Sequence, residues 1–167
     1  MIKIANDPKL VNDEKVNILR TAIEHRATWF YFLLDEVKKN GLDAEKLGRT
    51  AISRCGCFHG AEKIMKKCEN PEDLRSFFKV FIDEVCMKAF EMEVKENTEN
   101  KLYIDFYYCP LVAAWKKLNV DDDIPLLCDI AMEGDRGICS KFDGYKFSLG
   151  KLISKGDRYC ELRIDKK

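Results

Sequence analysis

Apolar residues recur every three to four positions through the first half of the chain, a spacing that predicts amphipathic helices. The longest such segment covers residues 13–39 and ends at "NGLD", where Gly41 suits the position after a helix. One face of a helical wheel collects five apolar residues and is the predicted buried side: Leu19, Ile23, Phe30, Leu33 and Val37. Arg26 falls in the middle of that face and His25 at its edge. A permanent cation is therefore expected against the core.

Two further helices are predicted before the pattern changes. One covers residues 43–55 and is broken by Gly56 and Gly60 in "CGCFHG". The next begins at "NPED", with Asn70 as N-cap, a proline at the first helical position and acids in the first turn. It is expected to continue to about Met87. The first half of the chain is thus predicted to be mostly helical.

From about residue 90 apolar and polar residues alternate, which is typical of strands with one buried face. "FEMEVKENTENKLYIDFYY" alternates on both sides of a polar turn and predicts a β-hairpin. "YKFSLGKLISKGDRYCELRID" predicts a second hairpin that turns at Gly156–Asp157 and directs Cys160, Leu162 and Ile164 to one face. Two helical segments separate the hairpins: "CPLVAAWKKL" and the helix that "DDDIPLL" opens.

This order of elements predicts an α+β fold in which helices cover a small antiparallel sheet. Residues 1–88 are expected to be mostly helical, and residues 89–167 to form a hairpin, two helices and a second hairpin. Because 167 residues is about the length of one domain, residues 1–167 are expected to form a single domain. A ligand pocket is expected between the two layers.

Charge and hydropathy narrow the range of partners. Basic and acidic residues each number 29, so there is no basic excess to attract nucleic acid or an anionic membrane. The N-terminus has no apolar run of signal-peptide length, and no window approaches the roughly 18 apolar residues of a membrane span. The prediction is a cytoplasmic protein that binds a small-molecule substrate, without nucleic acid or membrane. The sequence leaves the oligomeric state open.

The chain contains eight cysteines, which are expected to be reduced thiols in the cytoplasm. The sequence has no CxxC pair, and the close pair Cys55 and Cys57 has no matching pair downstream. The ligand spacings of zinc ribbons and ferredoxin-type clusters are therefore absent. Neither a metal nor a cofactor is predicted.

Cys109 is the thiol with the most suggestive position. It directly precedes Pro110, so it is the expected N-cap of the helix that begins there. Free backbone amides and the positive end of the helix dipole stabilise a thiolate at such a position, and a thiolate is the nucleophilic form. The alternative is a small buried residue between a strand and a helix, since no local base completes a catalytic pair.

The stretch "CDIAMEGDRGIC", residues 128–139, mixes charges and thiols within an apolar run. On a helical wheel Asp129, Glu133 and Arg136 form an outer face, where Glu133 and Arg136 are spaced as an i,i+3 ion pair. The opposite face collects five other residues: Leu127, Cys128, Ala131, Asp135 and Ile138. A carboxylate pointing to the core must be paired, hydrogen-bonded or at a polar pocket. Because Gly134 and Gly137 weaken the helix, a turn at Asp135 is the other possibility.

Arg26 and Asp135 are opposite charges that are both expected on the buried side of a helix, and two interpretations explain them. In one interpretation the two residues, or Arg26 and another acid, form a buried ion pair. In the other, Arg26 lines a pocket and binds the carboxylate of a ligand. His59, in "RCGCFHG", is a candidate general base near neutral pH, or simply a polar residue of a loop.

Five segments resemble the L-2-amino-thiazoline-4-carboxylic acid hydrolase family. They are "AIEHRATWFYFLLDE", "RCGCFHG", "YCPLVAAWKKL", "CDIAMEGDRGI" and "GDRYCELRI", in order along nearly the whole chain. The last segment is also similar to the end of 4-vinyl reductase-like ligand-binding domains, which implies an α+β unit around a small-molecule cavity. The family activity implies addition of water to a cyclic amidine, departure of the ring sulfur and formation of N-carbamoyl-L-cysteine.

That reaction requires an activated water or nucleophile, an acid for the departing sulfur and a cation for the substrate carboxylate. Our hypothesis assigns Cys109 as nucleophile or its helix end as the polarising group, Asp135 as acid and base, and Arg26 as carboxylate anchor. Cys128 and His59 are further candidates for catalysis. Cys160, Arg136 and Glu133 are further candidates for substrate binding.

Two other functions are consistent with the same residues. A non-catalytic domain would use the cavity to bind an apolar or aromatic ligand, and a redox-sensing protein would use the thiols. The lining of the site distinguishes the first of these from an enzyme. An enzyme is expected to bring Arg26, Asp135 and a thiol together at one cavity, whereas a binding domain is expected to have an almost wholly apolar wall.

Overall fold

The helical first half and the paired strands of the second half form an α+β fold, as the hydrophobic pattern predicts. A computed structural model describes residues 3–167. The helices and strands of these residues follow one another as α1 (Glu14–Lys39), α2 (Ala44–His59), α3 (Leu74–Phe81), α4 (Glu84–Ala89), β1 (Met92–Asn97), β2 (Lys101–Phe106), α5 (Pro110–Lys117), α6 (Ile124–Ala131), α7 (Glu133–Cys139), β3 (Tyr145–Leu149) and β4 (Cys160–Lys166). Short π and 3₁₀ segments, Gly60–Ile64 and Met65–Lys67, follow α2, and a 3₁₀ turn, Ile153–Lys155, lies between β3 and β4.

The four strands form one antiparallel sheet in the order β1-β2-β4-β3. Each predicted hairpin supplies two neighbouring strands, and β2 pairs with β4 to join them. Leu102 lies opposite Ile164, and Ile104 lies opposite Leu162. All four side chains are buried, so the alternation read from the sequence correctly identifies the inner face of the sheet.

Helix α1 has the predicted ends, and its buried side overlaps the predicted face only in part: Ile23 is buried, and Leu19 and Phe30 pack against the core. Asp13 accepts a hydrogen bond from the amide of Val16, and Gly41 follows the helix with a φ of +72°. The buried residues are Val16, Arg20, Ile23, Ala27 and Leu34. The prediction of Leu33 and Arg26 on the buried side was wrong, because both side chains are exposed. Apolar residues occur on two sides of α1, so periodicity alone did not identify the inner one.

The prediction that Gly56 breaks the second helix was also wrong. Helix α2 continues through Gly56 to His59, and a π segment begins at Gly60. A Cβ atom at Gly56 would lie 2.1 Å from the carbonyl oxygen of Gly134 in α7. This glycine therefore serves the close approach of two helices and does not mark a turn.

The predicted third helix is two helices. Helix α3 begins after Asp73, whose carboxylate accepts a hydrogen bond from the amide of Arg75, and not after Asn70. It ends at Phe81, and α4 begins after Asp83, which caps the amide of Cys86. The cap at Asp83 favours the start of a new helix, so the single helix that the periodicity predicted is divided into α3 and α4.

Two hydrophobic clusters lie in the interior. The first joins α1, α5 and α6 around Trp115, whose indole N–H donates to the carbonyl of Ala27 over 3.1 Å. The second lies between α3, α7 and the sheet around Phe77. Residues 3–167 contain no helix with both the length and the apolarity that crossing a membrane requires.

Candidate functional site

Cys109 is the N-cap of α5, as predicted, and its backbone is held from the N-terminal segment. The Asn6 side-chain amide donates to the carbonyl of Cys109 over 2.9 Å and accepts from the amide of Cys109 over 2.8 Å. Asn6 is itself buried. The double hydrogen bond fixes the junction between β2 and α5.

The thiol of Cys109 does not have the lowered pKa that its position suggested. Burial raises its pKa far above the ordinary value, and the neighbouring thiols Cys128 and Cys160 add to the rise. The backbone amides of Leu111 and Val112 lower it, but they do not compensate. Desolvation outweighs the helix N-terminus here, so Cys109 is a neutral thiol at pH 7.

Cys109, Cys128 and Cys160 form an internal thiol group. Burial raises the pKa of Cys128, and it raises that of Cys160 to about 12. The Ser154 hydroxyl lies beside Cys128 and lowers its pKa, yet it makes no hydrogen bond of normal geometry in this structure. Cys160 accepts from the amide of Ile153 over 3.3 Å. The environment of these thiols is that of a packed interior.

Asp135 differs from these thiols, because its carboxylate has no partner for its charge among the described residues. It lies in α7, half-buried, and within residues 3–167 it accepts no hydrogen bond and forms no ion pair. Burial raises the pKa of its carboxyl to about 6, against the opposing charges of Arg26 and then Arg136. A carboxyl with this pKa exchanges protons readily near neutral pH.

Arg26 is exposed on the side of α1 and not buried as predicted. Its charge nevertheless reaches Asp135 and lowers that carboxyl's pKa. The predicted alternatives were a buried ion pair or a cation at an accessible site, and the structure has no Arg26–Asp135 ion pair within 4 Å among its described residues. The guanidinium therefore remains available to an anion from solvent.

The charges of both Asp135 and Arg26 act on the thiol of Cys86, which the sequence analysis missed. It is half-buried in α4, where burial and then the charges of Asp83 and Asp135 raise its pKa to about 11. Arg26 opposes that rise. Arg26, Cys86 and Asp135 are hereafter the Asp135 group. In the sequence, Asp83 as the N-cap of a new helix was the signal that would have placed Cys86 in α4 and not in the preceding helix.

The outer face of the 128–139 stretch is occupied by its own ion pairs, as predicted. Arg136 donates to Glu133 over 2.7 Å and to Asp129 over 2.8 Å. Arg49 of α2, which the sequence analysis did not single out, also pairs with Asp129 at 2.7 Å and Glu133 at 3.1 Å. Burial opposes ionisation of Asp129, but the hydrogen bonds from Arg136 and Arg49 lower its pKa. Arg49 thus links α2 to α6 through Asp129 and to α7 through Glu133.

His59 is the last residue of α2 and does not lie in a loop. Its ring is half-buried and meets the ring of Phe58 edge to face, with centroids 5.5 Å apart. Among the described residues, the charges that act on the Asp135 carboxyl and its pKa are those of Arg26 and Arg136, and His59 is not one of them. The structure therefore does not bring His59 together with Asp135.

Two surface grooves lie away from these residues. One, of about 620 Å³, runs along the first turns of α1 beside Val11 and Ile18, and the other, of about 480 Å³, lies between Lys9 and Tyr107. None of the predicted site residues lines either groove. Over residues 3–167, no cluster of three histidine, cysteine or acidic residues is arranged to hold a metal ion. The Asp135 group lies outside both grooves.

A family model described as L-2-amino-thiazoline-4-carboxylic acid hydrolase matches residues 20–164. The chain belongs to this family. The match to the L-2-amino-thiazoline-4-carboxylic acid hydrolase family runs from α1 to β4, so it includes both the Asp135 group and the internal thiol group. Neither the curated proteins nor the solved structures gave a match.

Proposed function

We propose that the protein hydrolyses L-2-amino-thiazoline-4-carboxylate to N-carbamoyl-L-cysteine and that Asp135 is the acid and base of the reaction. One observation carries the assignment: an unpaired carboxyl with a pKa raised to about 6 lies within electrostatic range of an exposed, unpaired arginine. Family membership supplies the substrate class. A buried structural carboxylate is instead expected to have a partner.

The chemistry begins from the amidinium form of the ring. Ionised Asp135 takes a proton from a water molecule as its oxygen bonds to the carbon between the ring nitrogen and the sulfur. The π electrons of the carbon–nitrogen bond pass to the ring nitrogen, which already holds its proton. This step yields a tetrahedral intermediate with hydroxyl, amino, ring nitrogen and sulfur on one carbon.

The second step opens the ring. The carbon–oxygen double bond forms, the carbon–sulfur bond breaks, and the electron pair leaves on sulfur. Protonated Asp135 gives its proton to that sulfur, and the hydroxyl proton passes to solvent. A carboxyl with a pKa of about 6 suits both the acceptance and the return of the proton at neutral pH.

Arg26 is proposed to bind the substrate carboxylate. A guanidinium matches a carboxylate with two parallel N–H···O bonds, which fixes the position of the ring relative to Asp135. Cys86 is neutral at pH 7 because its pKa is about 11, so it is assigned no covalent role. The internal thiol group is likewise left out of the reaction.

The direct test measures release of N-carbamoyl-L-cysteine from the thiazoline by the full chain. Asp135→Asn is expected to reduce kcat by at least about 100-fold, because the proton acceptor is lost. The kcat/KM of the unchanged protein is expected to rise with pH through about 6 as Asp135 ionises. Asp122→Asn, on the surface before α6, is the matched control and should keep full activity.

Two further variants separate the residues of the hypothesis. Arg26→Ala should raise KM far more than it lowers kcat, whereas Cys109→Ser should keep activity because its thiol is buried and neutral. An active Asp135→Asn variant would remove Asp135 from the mechanism. Binding of the thiazoline without any product from the unchanged protein would favour the non-catalytic ligand-binding domain.

A further inference from the structure

Residues 3–12 cross the surface of the protein without forming a helix or a strand. This segment is hereafter the N-terminal strap. Within it only Ile4 and Asn6 are buried. The open groove of about 620 Å³ borders the strap at Val11, and the groove of about 480 Å³ borders it at Lys9. A segment with so little buried surface must be held in place mainly by its polar contacts.

The first of these contacts fastens the strap to Cys109. The Asn6 side-chain amide donates to the carbonyl of Cys109 and accepts from its N–H. Close by, Lys116 of α5 donates from Nζ to the carbonyl of Ile4 over 2.8 Å. The strap therefore lies over the start of α5, on the backbone that carries the first thiol of the internal thiol group.

A second clamp holds the other end of the strap through Glu91. Its carboxylate accepts from the amides of Lys9, over 2.6 Å, and Leu10, over 2.9 Å, and Arg20 donates to the carbonyl of Leu10. The φ of Glu91 is +50°, in the left-handed region that is unfavourable for a residue with a Cβ atom. Backbone strain of this kind is concentrated at clamps and switches, where surrounding contacts maintain it.

We propose that the N-terminal strap opens reversibly while the rest of the fold stays intact, and that its opening controls when the thiol of Cys109 meets solvent. Segments with few buried apolar contacts open at a lower free energy than the core of a protein. Opening separates Asn6 from the Cys109 backbone and releases the strained Glu91 from two of the amides that it holds. Water then reaches the start of α5.

The chemical consequence follows from the position of Cys109 at the N-cap of α5. In the closed state its thiol is only partly accessible and is neutral, because burial outweighs the free amides of Leu111 and Val112. Water admitted by opening removes part of that penalty, whereas the amides stay in place. The open state therefore contains more thiolate, which is the form that attacks electrophiles. The strap gates a reactivity that the proposed hydrolysis does not use.

Alkylation of the full chain by iodoacetamide tests the proposal, at about pH 8, near the ordinary pKa of a thiol. The thiolate sulfur displaces iodide from the reagent, and the thiol proton passes to the buffer. Peptide mass spectrometry follows each cysteine in the same sample. Cys55 is exposed and should react first, and Cys109 should react more slowly. Cys139, which is 2% exposed in the second hydrophobic cluster, should react last.

Asn6→Ala removes both side-chain hydrogen bonds to Cys109 and is the decisive variant. Without them the closed state leaves polar groups of the backbone unpaired, so the strap should open more often. The alkylation rate of Cys109 is expected to rise about 10- to 100-fold, while that of Cys139 stays within about twofold. Cys139 thus reports in the same sample whether the whole fold has been destabilised.

Two further variants bracket this effect. Lys116→Met keeps the aliphatic stem but removes the bond to the Ile4 carbonyl, so it should raise the Cys109 rate about 3- to 10-fold. Asn40→Ala is the matched control. It removes an exposed asparagine that donates to the carbonyl of Glu36 at the end of α1, and it should leave the Cys109 rate unchanged.

Hydrogen exchange of the unchanged protein provides a measurement that needs no variant. The amides of Lys9, Leu10 and Cys109 bond to the two clamps. If the strap opens as a unit, these three amides should exchange with a common opening free energy. That free energy should be lower than the one for the amides of β2, which exchange through opening of the sheet.

Four results would overturn the proposal. Cys109 of the unchanged protein could react as fast as Cys55, or its rate could be the same in Asn6→Ala. The rates of Cys109 and Cys139 could rise by the same factor, which indicates loss of the whole fold. Finally, the strap amides could exchange only with global unfolding. The inference does not depend on the proposed function, because no substrate takes part in these measurements.

Discussion

At the scale of single residues, the unpaired carboxyl of Asp135 suits the proposed reaction but lowers the stability of the fold near neutral pH. Its carboxyl has a pKa of about 6 in the folded chain, against 3.8 for an unperturbed aspartate. Between those values the folded chain binds the proton and the unfolded chain does not, so the stability contributed by this residue falls as pH rises from about 4 to 6. Above that range the unpaired charge is a cost to the fold.

Replacing Asp135 with asparagine should therefore stabilise the protein at neutral pH. Asp135→Asn is expected to raise the free energy of unfolding at pH 7 by about 1–3 kcal/mol, since each pKa unit corresponds to about 1.4 kcal/mol and part of the residue stays in water. At pH 4 the gain should nearly vanish. Urea unfolding at both pH values measures it, and a destabilised variant at pH 7 would contradict the interpretation.

The cysteines show what a sequence reveals at this scale. The N-cap position of Cys109 followed from the proline after it, and the structure confirms it. The state of its thiol depended on the neighbours Cys128 and Cys160, which are distant in sequence and come from α6 and β4. The sequence predicted the N-cap position of Cys109, but not the burial that raises the pKa of its thiol.

At the scale of elements, the contact between α2 and α7 explains the glycines on both helices. A Cβ atom at Gly137 would lie 2.5 Å from the carbonyl oxygen of Ser53, and one at Gly56 would lie 2.1 Å from that of Gly134. The backbones of the two helices therefore touch. Arg49 and Arg136 then join the helices at the surface through Asp129 and Glu133.

Two alanine substitutions test this contact. Gly56→Ala should destabilise the protein by about 1–3 kcal/mol, because backbone atoms of α7 cannot move aside as a side chain would. Gly134→Ala is the matched control, since its Cβ atom would meet only Ile52 Cγ2, at an ordinary 3.7 Å. That variant should be neutral or gain up to about 1 kcal/mol from higher helix propensity. Thermal unfolding compares the two, and equal losses in both would refute the explanation.

At the scale of the whole molecule, Arg20 ties the N-terminal segment to the junction of α4 and the sheet. It is 5% exposed and donates to the carbonyls of Ala89, over 2.9 Å, and Leu10. It also pairs with Glu91 at 3.1 Å and lies 4.4 Å above the ring of Tyr108. Glu91 in turn accepts from the amides of Lys9 and Leu10.

Loss of Arg20 should therefore affect the fold as a whole. Arg20→Met is expected to lower the free energy of unfolding by about 3–5 kcal/mol, because it leaves the nearly buried Glu91 carboxylate without a counter-charge and the Ala89 and Leu10 carbonyls without their donor. Arg75→Met removes an exposed arginine paired with Asp73 and should change stability far less. Chemical denaturation decides the comparison, and a small loss in Arg20→Met would show that water replaces these contacts.

The sequence by itself determined the strands of the second half, the N-cap of α5, the ends of α1 and the inner face of the sheet, but not the division of the helix after residue 123 into α6 and α7. Those features depend on neighbours along the chain: alternation, the proline after Cys109 and the aspartate at residue 13. It also determined the outer ion pair of Glu133 and Arg136, which are three residues apart on one helix.

Only the tertiary structure decided which face of α1 is inside, why α2 does not end at Gly56, and which thiols the charge of Asp135 affects. Each depends on residues far apart in sequence. The buried Arg20 and the exposed Trp29 are the clearest case, because α1 has apolar residues on both sides and only the position of α4 and α5 selects one. Burial sets the charge state of Asp135 and Cys109 for the same reason: water is excluded by whatever the fold brings beside them.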